Sequence, residues 1–252
     1  MTHSAGLPHF DYRPGEGPTL VFLHYWGGSA HTWAAVIDEL PGRAVLALDF
    51  RGWGRSSDLP GPYTLDRHAA DVLAVLEVAD VRDYILIGHS MGGKVAQLVA
   101  ARHPNGLRRL VLAAPAPARP GREITTRYQT QLSHAYDSDD AVAEALDHVL
   151  TARELDVETR SRIVSDSRAT RDPAAAQAWP LSGITEDITH AVQQIAVPAA
   201  IVVGTSDVVE PPETLRDNLI PYLATSRLVL LPGVGHLVPL EAPADLAAVI
   251  GE

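Results

Sequence analysis

Tyr84-Ile85-Leu86-Ile87-Gly88-His89-Ser90-Met91-Gly92-Gly93-Lys94 passes from a continuous apolar run, through the pattern G-x-S-x-G, into a segment of helical character beginning Lys94-Val95-Ala96. The apolar run predicts a buried strand, and the glycines after it predict a sharp strand-to-helix turn that holds a serine in strained backbone geometry. Side chains at the flanking positions would clash in such a turn. The helix N-terminus beneath favours negative charge beside Ser90, so this serine is a candidate nucleophile. Two phosphate-binding readings compete. Gly88 to Lys94 also spells G-x-x-x-x-G-K, but Val95 stands where a nucleotide site needs a hydroxyl for magnesium. Gly52-Trp53-Gly54-Arg55-Ser56-Ser57 approaches a dinucleotide fingerprint and lacks its last glycine.

On either side of this segment, apolar runs alternate with longer amphipathic stretches, the pattern of βαβ units that build a parallel sheet. Strands are expected at Thr19 to His24, Ala44 to Phe50, Tyr84 to Gly88, Leu107 to Ala113, Ala199 to Gly204 and Arg227 to Leu231, with an edge strand near Pro8 to Tyr12. Helices are expected at Leu65 to Ala79, Met91 to His103 and Pro243 to Ile250. From Pro115 to about Ala196 strands disappear and short helical patterns follow one another, broken by Pro117, Pro120, Pro173 and Pro180. Ile184, Ile188, Val192 and Ile195 recur there at helical spacing, and Tyr128, Tyr136 and Trp179 carry most of its aromatic surface.

A serine hydroxyl is a poor nucleophile until a base takes its proton. His236 follows the last expected strand in Leu231-Pro232-Gly233-Val234-Gly235-His236, at the sheet edge where open α/β sheets gather functional groups. An acid is needed to orient that base, and Asp207 follows the penultimate strand in Val203-Gly204-Thr205-Ser206-Asp207; Glu210 is its rival. The chain order Ser90, Asp207, His236 is that of one triad class and not of the chymotrypsin or subtilisin types.

With these three segments in order, and a fourth at His24 to Gly28, the whole chain resembles the lidded α/β-hydrolase superfamily and looks like a serine esterase-like member of it. The family's H-G-x-G-type loop corresponds to His24-Tyr25-Trp26-Gly27-Gly28, with Tyr25 where glycine is common. Asp49-Phe50-Arg51-Gly52-Trp53-Gly54-Arg55-Ser56 looks like the family's D-x-R-G-x-G-x-S brace. The resemblance implies an α/β fold with a mostly parallel central sheet flanked by helices. Residues 1–115 and 197–252 would form the core, and residues 116–196 a helical lid inserted after the sixth strand. It also implies that the Tyr25 and Met91 amides form an oxyanion hole. Expected pocket residues are His24, Trp26, His89, Tyr128, Trp179, Val208 and Leu237, of which His24 and His89 are read chiefly as orienting loops. The implied reaction is cleavage of a small to medium apolar carboxylic ester or lactone through an acyl-enzyme on Ser90. Carbon-carbon bond hydrolysis, perhydrolase or haloperoxidase-like chemistry, aminopeptidase activity and a triad-retaining ligand receptor are the alternatives on the same scaffold. Haloalkane dehalogenase and epoxide hydrolase chemistry is disfavoured, because both use an aspartate where Ser90 stands.

Composition narrows the partners. The 252 residues carry 31 acidic and 20 basic side chains, a formal charge of −11 that repels phosphate backbones and anionic lipid surfaces. A small-molecule substrate is therefore expected, with neither nucleic acid nor membrane as partner. No cysteine is present, which excludes disulfides and thiolate metal sites and agrees with a cytoplasmic location. The opening Met1-Thr2-His3-Ser4-Ala5-Gly6 lacks the pattern of a secretory signal, and no apolar run reaches the roughly 18 residues needed to span a bilayer. With no H-E-x-x-H, no paired histidines at ligand spacing and no acidic calcium loop, neither a metal site nor a cofactor is expected.

Overall fold

Alternate residues of the apolar runs point to opposite faces of one sheet, and this arrangement explains why the runs are continuous. In the computed structural model, which describes residues 6–252, Ile85 and Ile87 belong to one buried cluster while Tyr84 and Leu86 belong to the other. Leu20 and Phe22 divide from Val21 and Leu23 in the same way. A strand covered on both faces has no polar side to show. The reading of the opening Met1 to Ala5 lies outside the described residues.

Seven strands, β1 (Phe10–Arg13), β2 (Glu16–Leu23), β3 (Arg43–Leu48), β4 (Tyr84–His89), β5 (Leu107–Ala113), β6 (Ala199–Gly204) and β7 (Ser226–Leu231), are ordered β1-β3-β2-β4-β5-β6-β7 among the described residues. β1 runs antiparallel to β3, and the other pairs are parallel. The edge strand begins at Phe10, two residues later than Pro8, the start expected from the sequence. Proline has no N–H to offer a ladder.

Helices α1 (Ala34–Asp38), α2 (Leu65–Val78) and α3 (Met91–Ala101) join the first strands, and α4 (Thr126–Ser133), α5 (Asp139–Ala145), α6 (Val157–Arg168), α7 (Pro173–Leu181) and α8 (Thr189–Val192) lie between β5 and β6. The chain closes through α9 (Pro212–Asn218), α10 (Val238–Glu241) and α11 (Pro243–Gly251). α2 starts where the Thr64 hydroxyl accepts the Arg67 N–H. Its Ala69, Val72 and Val75 pack with Val95 and Val99 of α3 on one face of the sheet, while Val36 of α1 and Leu246 and Ile250 of α11 cover the other. Each such side chain stabilises by about 1.5–3 kcal/mol relative to exposure. Among the described residues no helix is long and apolar enough to cross a membrane.

Two expectations need correction. The helical segment leaves the sheet after β5, the fifth strand among the described residues, and not after a sixth. Ile184, Ile188, Val192 and Ile195 do not share one helix: Ile184 lies in a 3-10 turn, Glu186 is extended, and α8 begins only at Thr189. Asp187 breaks the run by accepting both the amide and the hydroxyl of Thr189. All four apolar side chains are nonetheless buried, so their spacing recorded burial and not helical continuity.

His68, buried in α2 with its ring 4.9 Å from that of Phe50, is pushed down to about 3 by burial and by the neighbouring His24, Arg51 and Arg67. An unfolded chain protonates histidine near its ordinary value of about 6.5, so below that pH it takes up a proton that the folded protein refuses. The stability associated with neutral His68 is therefore complete above about pH 6.5 and is lost as pH falls towards 3. His68→Phe is expected to remove about 1.4 kcal/mol per pH unit from the slope of unfolding free energy between about pH 6 and pH 5. Urea titrations of both proteins measure it, and identical slopes would contradict a neutral His68.

Candidate active site

β4 delivers Ser90 to the N-terminus of α3 with φ 53° and ψ −118°, a region that an L residue holds only when its surroundings enforce it. They do so here through the main chain. The Ser90 N–H donates to the Ala113 carbonyl at 3.1 Å, and its own carbonyl accepts from the Gly93 and Ala116 amides. A Cβ on Gly92 would stand 2.4 Å from the His24 carbonyl oxygen, and one on Gly88 would stand 2.4 Å from that of Gly92. The glycine spacing is thus a steric requirement of bringing α3 against the end of β2.

The loops after β6 and β7 bring Asp207 and His236 to the same edge. His236 Nε2 lies 3.0 Å from Ser90 Oγ, and His236 Nδ1 lies 2.9 Å from Asp207 Oδ2. The other Asp207 oxygen accepts the Val209 and Glu210 amides at 2.8 and 2.9 Å, so both carboxylate oxygens are used. Burial works to raise the Asp207 pKa, but His236 and these two amides outweigh it and hold the carboxyl below its ordinary value. An ionised Asp207 fixes the Nδ1–H tautomer and leaves Nε2 facing the serine hydroxyl as an acceptor. The three residues are each at most 8% exposed.

Three features hold the histidine loop, and the sequence disclosed neither of the first two. The His236 and Leu237 amides both donate to the Leu150 carbonyl, at 3.0 and 3.1 Å. Glu241 collects the Gly235, Ala152 and Arg153 amides on one carboxylate oxygen. His89 Nε2 lies 2.8 Å from the His236 carbonyl and must donate to it. Burial, then the nearby His236, pushes His89 down to about 3, so it is a neutral donor.

His24 Nε2 accepts the Phe50 amide at 2.9 Å, leaving Nδ1 to donate to the Tyr25 carbonyl at 2.7 Å. This bond fixes the loop that follows β2. Tyr25 and Met91 are buried residues, Met91 directly following Ser90, and the amide of neither is a donor in the backbone bonds outside the helices and strands among the described residues, where a buried N–H ordinarily has a partner. The departure at Tyr25 is accommodated by Gly28, where a Cβ would come within 2.6 Å of the Tyr25 ring. The segment between β5 and β6 clamps the same loop: Tyr136, in the turn between α4 and α5, donates to the Trp26 carbonyl, and Ser167 of α6 to that of Gly27. Asp49 accepts the Ala30 amide and the Arg55 side chain, and Arg51 pairs with buried Asp71, bracing the loop from below.

Above Ser90 opens a cavity of about 290 Å³. Of the residues expected there, Trp26, Tyr128, Trp179 and Val208 line it, with Val208 66% exposed, and Tyr25 and His236 line it beside Ser90. Leu237, His24 and His89 do not. Leu237 is wholly buried in the core because its amide is turned to Leu150, and the two histidines lie behind the cavity wall as loop ties. Met91 lines a neighbouring cavity of about 420 Å³ together with Trp179. Tyr136, the third aromatic residue that the sequence marks in the helical segment, also lines the cavity, whereas nothing along the chain pointed to Leu150, Glu123 or Glu210 as wall residues.

Residues 18–243 match the model of the alpha/beta hydrolase fold family. Proline iminopeptidase of Lactobacillus helveticus is 26% identical over 268 residues, covering 94% of this chain and 90% of the relative. Pimeloyl-(acyl-carrier protein) methyl ester esterase of Nitrosomonas europaea is 28% identical over 245 residues, covering 91% and 92%. Among solved structures, a thermophilic esterase from Thermogutta terrifontis superposes with a TM-score of 0.82 at 25% identity, covering 97% of this chain and 91% of the other. The chain is a hydrolase of the alpha/beta hydrolase fold family.

Proposed function

We propose that this protein is a serine hydrolase that cleaves a small to medium carboxylic ester or lactone through an acyl-enzyme on Ser90. One observation carries this reading: the unbroken hydrogen-bonded chain Asp207–His236–Ser90 at the floor of a largely apolar cavity. Ser90 Oγ attacks the carbonyl carbon as His236 Nε2 takes the hydroxyl proton, and Asp207 stabilises the imidazolium that results. The tetrahedral oxyanion takes the Tyr25 and Met91 amides, each donor lowering the barrier by about 3 kcal/mol. The protonated His236 then gives its proton to the leaving alkoxide, freeing the alcohol. Water, deprotonated by the same imidazole, attacks the acyl-enzyme; collapse of the second tetrahedral species releases the acid and returns the proton to Ser90.

Residues 116–196 act in this reading as a lid, whose Tyr136 and Ser167 bonds hold the oxyanion loop in shape. Helices that roof a site exclude water from it and strengthen its hydrogen bonds. The test is a panel of p-nitrophenyl esters and lactones of increasing acyl size, run beside labelling by an alkyl phosphonate. Turnover of short to medium acyl groups and a single adduct mapped to Ser90 are expected. Inert esters and lactones together with an unlabelled Ser90 would overturn the proposal.

A further inference from the structure

Glu210, three residues beyond Asp207, has a carboxyl group that the proposed mechanism leaves unemployed. It is 6% exposed, lines the cavity above Ser90, and among the described residues makes no hydrogen bond or ion pair through its side chain. Only its amide is used, by Asp207. Burying a carboxyl group without a partner is costly, which makes an unpartnered one beside a reacting serine a feature with a purpose. Burial, with Asp207 adding to it, pushes its pKa well up while no cation is beside it, and an ammonium group in the cavity acts in the opposite direction, favouring the carboxylate. Lys94, buried in α3, is within electrostatic reach but forms no ion pair with it.

The rest of the wall is of matching character. Glu123, at the exposed side of the cavity, adds a second carboxylate, and both Glu210 and Glu123 act on the Tyr128 phenol. No lysine or arginine is among the described residues lining the cavity. Trp26 and Tyr136, stacked with ring centroids 4.1 Å apart, share the wall with Tyr128 and Trp179. Aromatic faces and carboxylates without competing cations are the chemistry that binds an organic cation, because the ring quadrupole and the anion both favour positive charge.

We infer that the cavity above Ser90 takes a substrate bearing an ammonium group, with Glu210 as its buried counter-charge and the aromatic wall as its cage. This rests on the ester-hydrolase reading and adds to it the substrate's charge class. Glu210 is here a specificity determinant that touches substrate remote from the reacting carbonyl.

Two isosteric ester pairs test it. In the first, the p-nitrophenyl ester of trimethylammonio-butanoate is compared with the ester in which carbon replaces nitrogen. In the second, the cation sits on the alcohol: trimethylammonio-propyl butanoate against its carbon isostere. The intact protein is expected to favour the ammonium member of at least one pair by about tenfold or more in kcat/KM, mainly through KM, and Glu210→Gln is expected to erase that preference. Equal kcat/KM in both pairs, or a preference that survives in Glu210→Gln, would overturn the inference while leaving the esterase reading intact. Failure to turn over any of the four esters, with Ser90 unlabelled by phosphonate, would remove both. Should Glu210→Gln not fold, the intact protein still decides: the ammonium alcohol is expected to inhibit neutral-ester turnover competitively and about tenfold more tightly than its carbon isostere, and equal inhibition would sink the idea.

Discussion

Ser90→Ala is expected to lower kcat for a p-nitrophenyl acyl ester by about a millionfold, since nucleophile and base work as one unit and losing either removes the covalent route. The fold should be spared. Ser90 Oγ has one hydrogen bond, to His236 Nε2, and gives α3 no side-chain cap. Its strained φ is enforced by main-chain bonds to Ala113, Gly93 and Ala116, which alanine retains. Unfolding free energy should therefore change by no more than about 1 kcal/mol. Steady-state turnover and urea denaturation measure the two quantities on the same preparation. His236→Ala should fall by a similar factor, and the double variant hardly further, because a unit already broken cannot be broken again. Turnover in Ser90→Ala within about tenfold of the parent would show that the covalent route does not run through this serine.

The parallel sheet was readable in advance because strands covered on both faces carry continuous apolar runs, and those at residues 19–24 and 84–88 mark β2 and β4 within a few residues. The elbow was readable for a related reason: the sharp turn itself demands Gly88, which meets the Gly92 carbonyl, and the close approach of α3 to the end of β2 demands Gly92. Elsewhere the local signal misled. The four residues from Ile184 to Ile195 are buried on a broken path, and periodicity cannot separate a helix from a turn that presents the same face. The direction of a side chain beyond the triad was not legible either. Leu237 follows His236 directly but turns into the core, whereas Tyr136 reaches the loop after β2 across 110 residues. Glu241 ties its own loop, through the Gly235 amide, to the distant Ala152 and Arg153 amides, and no spacing along the chain announces such a clamp. Glu210 was visible only as a rival to Asp207. The structure separates them, giving Asp207 the histidine and Glu210 the cavity.

Asp207→Asn distinguishes these two carboxylates by a tautomer argument. The Asp207 side chain faces two kinds of donor: one oxygen takes the Val209 and Glu210 amides, and the other takes His236 Nδ1–H. Asparagine has one oxygen and one NH2 group. The main-chain amides cannot turn away, so they claim the oxygen, and the NH2 group is left pointing at Nδ1. A donor there requires Nδ1 to be the acceptor, which moves the imidazole proton to Nε2, the atom 3.0 Å from Ser90 Oγ. Nε2–H then donates to Ser90 Oγ, and the histidine can no longer receive the serine proton. A fall in kcat of about ten-thousandfold is expected, with KM little changed, because the cavity that binds substrate is untouched. The loss should persist across the pH range in which the parent is active, since the fault lies in where the proton sits and not in whether one is bound. A variant with kcat within about tenfold of the parent would mean that another acid, Glu210 being the one within three residues, orients the histidine. Glu210 is poorly suited to orienting it, because its carboxyl group faces the cavity without a hydrogen bond.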